Sequence, residues 1–187
     1  MTKKVEQLSC ALRIAFAAAC AERLLTGYAK YAAKTGGGGL AVLREILTRL
    51  WKDLEGERMS DAEVDAAIKT CLQMIPQEEG SAWVPEQATA DDAAAALAYA
   101  LGCRRSCRPE EAVLAAQRAY DALDEFVIYK ENVDTNVPGA EDRVVSHPLI
   151  QTELARQQRD IDELLQRLIT VTALRDRSRV EAATFLP

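Results

Sequence analysis

Along almost the whole chain, apolar residues recur at steps of three and four, and the alternation that marks a half-buried strand is nearly absent. That period restricts the fold to packed helices, and local signals divide them. Between Ser9 and Lys34, Leu12, Phe16, Ala19, Cys20 and Leu24 share a face that Tyr28 and Tyr31 continue. Thr26-Gly27 is expected to loosen or kink this helix, because glycine costs about 1 kcal/mol against alanine there. A second helix spans about 40–54, with Leu43, Ile46, Leu47, Leu50 and Trp51 inward. Ser60-Asp61-Ala62-Glu63 is a capping box, which opens a third helix running towards Pro76, with Val64, Ala67, Ile68, Cys71 and Leu72 inside. Residues 77–87 read as a loop, and Thr89 as the cap of a fourth, alanine-rich helix ending near Gly102.

Arg108-Pro109-Glu110-Glu111 opens a fifth helix, with proline tolerated in the first turn and acids favoured by the helix dipole. Residues 131–145 read as a loop. Ser146-His147-Pro148 starts a last long helix whose stripe, Ile150, Leu154, Gln157, Ile161, Leu164, Leu168 and Val171, steps 4-3-4-3-4-3 and is interrupted by Gln157. The tail from about Arg175 to residue 187 is expected to fray unless Phe185 and Leu186 dock back. Residues 1–187 thus read as an all-α, single-domain helical bundle of about six helices with a long C-terminal helix.

No apolar stretch reaches the roughly 18 residues of a membrane span. Arg13, Glu22 and Arg23 interrupt the run that would otherwise resemble a secretory core, so the expected location is cytoplasmic. Five cysteines are an odd number, which argues against a closed disulfide framework and for reduced thiols. Cys103 and Cys107 have the one suggestive spacing, but a structural zinc site needs four ligands and the single histidine, His147, is distant. The net charge of −6 is unevenly spread: +5 over residues 1–51, −12 over 52–142 and +1 over 143–187. The acidic middle argues against nucleic acid, whose phosphates need an uncancelled basic stripe.

Gly36 to Gly39 raise the question of a phosphate cradle. Such a loop needs a preceding strand, a lysine after the glycines and a neighbouring hydroxyl. Here a helix precedes, Leu40 follows, and the glycines are read as a turn. His147 precedes a proline at a helix start and reads as a cap, which leaves no base for a serine or cysteine nucleophile. No Glu-x-x-His pair occurs, so no metal and no cofactor is expected. Asp121, Asp124 and Glu125 share one side of the fifth helix, either as a solvated acidic face or as oxygen ligands for a hard cation. Trp83 either tucks over the core or anchors a partner. Arg104, Arg105 and Arg108 form a basic knot expected to pair with the acidic middle. Glu22-Arg23, a charged pair inside an alanine-rich helix, either fixes helix register or forms a polar site.

With these helices placed, AFAAACAERLL (15–25), LAVLREILTRLW (40–51) and HPLIQTELARQQRDIDELL (147–165) together resemble the YjaG-like family, catalogued as domain of unknown function 416. The resemblance spans about residues 8–168. It implies an all-helical domain and assigns no catalytic residue. The chain departs from the family pattern at Thr26-Gly27 and in its four glycines.

Three functional expectations follow. The first is a non-catalytic binder of a protein partner with a basic surface, in concrete form an immunity-type inhibitor of a toxin or nuclease, with Asp121, Asp124, Glu125 and Trp83 as contacts. The second is an enzyme or small-ligand binder with an inter-helix site that uses Glu22, Arg23 and acids of the fifth helix. The third is a homodimer joined through the stripe after His147.

Overall fold

The computed structural model describes residues 1–76 and 85–186. Among them the chain forms α1 (Thr2–Val5), α2 (Cys10–Thr35), α3 (Gly39–Leu54), α4 (Asp61–Gln73), α5 (Pro85–Ser106), α6 (Pro109–Lys130), α7 (Ala140–Val145), α8 (Pro148–Leu165) and α9 (Val171–Ala182). No strand occurs among the described residues, so the all-α class holds with more helices than the six expected.

The centre of the molecule is α2. Every residue from Ile14 to Leu25 is buried, so this stretch is enclosed on all sides. Ala15, Ala17, Ala18, Ala19 and Ala21 keep its surface low, and α3, α5, α6, α8 and α9 pack around it. α5 repeats the device with Ala90, Ala93, Ala94, Ala96 and Ala100 buried beside Leu97 and Leu101. Gly27 does not kink α2, which runs unbroken. A Cβ there would lie 2.9 Å from Thr89 Cβ, so the missing side chain lets α5 approach closely.

Other differences from the sequence reading have local causes. Thr89 lies inside α5, its hydroxyl donating to the Glu86 carbonyl at 2.9 Å, because the helix already starts at Pro85. Residues 140–145, read as loop, form α7 behind a left-handed Gly139. The last long helix stops at Leu165, Arg167 turns left-handed, and Thr170 caps α9 by accepting from the Ala173 N–H at 3.1 Å. Leu168 is therefore 70 % exposed and Val171 belongs to the next helix. Within the described residues the tail docks back, with Leu174, Ser178, Phe185 and Leu186 buried. Ile150, Gln157, Ile161 and Leu164 are buried within the chain, where α8 meets α6 and α2. Leu72, expected inside, is 51 % exposed.

The expectation of reduced thiols is also corrected. Cys10 at the start of α2 and Cys107 after α5 form a disulfide with a Cα–Cα separation of 5.2 Å, while Cys20, Cys71 and Cys103 are free and buried. An odd count excludes pairing of all five but not of two. Arg13 binds the same corner, donating to the carbonyls of Val5 (3.1 Å), Glu6 (2.6 Å) and Cys107 (2.8 Å).

The glycine run turns the chain from α2 into α3. Gly36 adopts φ 73° and its N–H caps α2 on the Ala32 carbonyl. A Cβ on Gly39 would run into the Tyr28 hydroxyl and lie 3.0 Å from Met74 Sδ, whereas one on Gly38 meets nothing within 4 Å. Replacing Gly37 and Gly38 together with alanine is therefore expected to leave the thermal melt near wild type. Gly39→Ala is expected to cost about 1–3 kcal/mol by overpacking. Leu164→Ala, at a site 1 % exposed, is expected to cost about 2–5 kcal/mol by leaving a cavity, read by urea denaturation.

Candidate functional site

Arg23 is placed by the all-round burial of α2, and its guanidinium is fully shielded from water. A buried charge needs partners, and α8 and α9 supply them. Arg23 binds Glu153 through two donors, Nε to Oε2 at 2.9 Å and Nη2 to Oε1 at 2.8 Å. Its Nη1 donates to Asp160 Oδ2 at 2.9 Å and reaches Glu181 Oε2 at 3.5 Å. Burial pulls the guanidinium's pKa down, but the carboxylates of Glu153 and Asp160 outweigh it and the net shift is upward. Arg159 and Arg177 cover Asp160 Oδ1 from outside at 2.9 and 2.8 Å. Gln157 donates from Nε2 to Glu153 Oε1 and to the Ala116 carbonyl, both at 3.1 Å. Burial raises the pKa of the adjacent Cys20 thiol strongly, which favours its protonated form.

Glu22, one residue earlier, points to a different side. Its Oε2 accepts from Trp51 Nε1 at 2.8 Å and its Oε1 lies 3.4 Å from Arg179 Nε. It stands at the edge of a cleft of about 450 Å³ between α2, α3 and α9. The structure thus separates the Glu22-Arg23 pair: the arginine is enclosed and the acid borders open space.

The acids of α6 belong to a larger group. Arg118 bridges Asp92 of α5 and Asp121, each at 3.1 Å, and Gln117 Nε2 donates to Asp121 Oδ1 at 2.7 Å. The Tyr120 hydroxyl donates to Asp124 Oδ1 at 3.3 Å, and Glu125 is exposed. Partial desolvation raises the half-buried Asp124 and the more open Glu125 carboxyl above their usual range, and repulsion among neighbouring acids adds to it. Asp92, 6 % exposed, is pushed up to about 7 by burial, against the pull of Arg118 and with Asp121 and Glu125 adding to the rise. Between α6 and α7 a slot of about 330 Å³ is lined by Tyr120, Asp124, Ile128, Glu141 and Val144 among others.

The remaining sequence candidates are placed as follows. Arg104 donates from Nε to the buried Asp53 at 2.7 Å, and Arg105 pairs with Asp65 at 3.1 Å. His147 caps α8, its Nδ1 accepting from the Leu149 N–H at 3.3 Å. Trp83 lies outside the described residues. Among the described residues no group of His, Cys, Asp and Glu is placed to hold a metal ion, and no helix is long and apolar enough to cross a membrane. Sequence reasoning missed Glu153, Asp160, Arg44, Arg179 and Glu141. For Glu153 and Asp160 a signal existed, since with Gln157 they form a polar line on the buried face of α8.

A family model described as "Protein of unknown function (DUF416)" matches residues 1–184, wider than the 8–168 read from sequence. A crystal structure of a DUF416 family protein from Shewanella baltica OS155 is similar with a TM-score of 0.81 at 20 % identity, covering 98 % of this chain and 93 % of that one. None of the curated proteins matches the chain.

Two outcomes test this geometry. Arg23→Met leaves Glu153 buried without its partner and is expected to cost about 3–5 kcal/mol in urea denaturation, less when combined with Glu153→Gln. Asp92 has a folded pKa above its unfolded value, so its contribution to stability is full below about pH 4 and is lost as pH rises through about 7. Asp92→Asn is therefore expected to stabilise the protein at pH 8 relative to wild type and to flatten the decline between pH 5 and 8.

Proposed function

Because the chain belongs to the family described as protein of unknown function DUF416, a description that names no activity, we propose a function from the acidic side of α6: the protein acts by binding a basic macromolecular partner. The observation that carries this reading is the slot between α6 and α7. Asp124 and Glu141 line it with the Tyr120 hydroxyl, while Ile128 and Val144 give apolar walls. Burial, then the charges of Asp124 and Glu141, raise the Tyr120 pKa, and the charged lining of the slot is Asp124 and Glu141 alone. An ammonium on an aliphatic stem meets both demands, which suits a lysine side chain of the partner. Asp121 and Glu125 extend the negative potential beside it and steer a basic surface in.

In its most concrete form the protein is an immunity-type inhibitor seated on the basic cleft of a toxin or nuclease in the cytoplasm. Charge and size support that form.

The test is a pull-down from the native host, followed by association kinetics of wild type and the triple variant Asp121→Lys, Asp124→Lys, Glu125→Lys at two salt concentrations. The triple variant is expected to associate at least about tenfold more slowly at low salt, with the difference shrinking towards 1 M, where the screening length is about 3 Å. Equal rates at low salt remove this side from the interface. A wild type that captures no basic protein overturns the reading.

A further inference from the structure

The cleft between α2, α3 and α9 lies apart from the acidic side and has the opposite charge. Its charged lining is Glu22, Arg44 and Arg179, a balance of +1 in a chain of −6. Arg44 is exposed and makes no hydrogen bond or ion pair among the described residues. Arg179 approaches Glu22 through Nε at 3.4 Å, long for an ion-paired hydrogen bond. Thr48 adds a hydroxyl on the α3 side. The floor is apolar, formed by the buried Leu25 and Leu47 with Ala182 and Ala183 of the α9 end. A volume of about 450 Å³, with charged groups and hydroxyls converging over an apolar floor, suits a small polar ligand with an aliphatic part.

We propose that this cleft binds a small zwitterionic amino carboxylate with a short aliphatic body. The ligand carboxylate lies between the guanidiniums of Arg44 and Arg179, which offer paired donors to its two oxygens. The aliphatic body covers Leu25 and Leu47. The ligand ammonium donates to Glu22 Oε1, the oxygen that Arg179 holds weakly. This last contact sets the class. A plain carboxylate that draws Arg179 away leaves Glu22, 8 % exposed, without that partner, and a zwitterion replaces it. Trp51 holds the other oxygen of Glu22 at 2.8 Å, so the carboxylate stays in place while Arg179 moves.

Trp51 also supplies the readout, because its indole N–H signal in a ¹H–¹⁵N spectrum reports directly on Glu22. Titration with L-leucine is expected to shift that signal saturably. 4-Methylpentanoate, the same skeleton without the amine, is expected to bind at least about tenfold more weakly, and isoamylamine, which lacks the carboxylate, not at all. Arg44→Gln changes an exposed side chain, so its fold is expected to be intact while L-leucine binding weakens about tenfold or more. Glu22→Gln is expected to erase the preference for L-leucine over 4-methylpentanoate. No shift with any of these probes at millimolar concentration overturns the site. Tighter binding of inorganic phosphate than of L-leucine, or L-leucine binding unchanged in Arg44→Gln, overturns the ligand class or its placement.

Discussion

A guanidinium with no access to water lies at the centre of this molecule, and much of the arrangement around it follows from keeping it paired. Removing an ion from water costs several kcal/mol even after relaxation, so Arg23 is tolerable in the core only because Glu153 and Asp160 meet it with well-formed hydrogen bonds. Those acids stand two turns apart on α8, and Glu181 approaches from α9. A slide of either helix along α2 would break several charge-assisted bonds at once. Alanine surfaces alone carry little such information, because small side chains pack in many registers. The ion pairs therefore specify the register that the alanines leave open.

The same division explains how much could be read from the chain. The helical period, the capping box at Ser60 and the histidine cap at His147 are local, and each is formed as the sequence implies. Gly27 was misread because its role depends on Thr89, a residue of another helix. The stop after Leu165 was missed because the 4-3 stripe continues in sequence while Arg167 turns the backbone away. Of the site, Glu22 and Arg23 were legible as charges among alanines. Arg44 and Arg179 look like ordinary surface arginines, and only tertiary packing brings them to one cleft.

Charge is sorted across the surface in a way the total hides. On α5 and α6, within the acidic middle segment, Asp92, Asp124 and Glu125 hold their protons more tightly than isolated carboxyls. The basic N-terminal part contributes Arg44 to a cleft with two arginines and one acid. The two regions therefore differ in sign, the first acidic and the second with a balance of +1.

The disulfide between Cys10 and Cys107 gives the chain a closed loop with a mechanical meaning. Under tension applied at residues 1 and 186, load crosses from residue 10 to residue 107 through sulfur, and the peptide between them bears none. At about 3.4 Å per residue, a separation of 97 residues keeps roughly 330 Å of contour out of reach of the pull. That shielded length contains α3, α4, α5 and nearly all of α2, and with them Arg23. Glu153, Asp160 and Glu181 lie on the extensible side. A stretched molecule would thus draw the carboxylates away from a guanidinium that stays behind in the sulfur-closed loop.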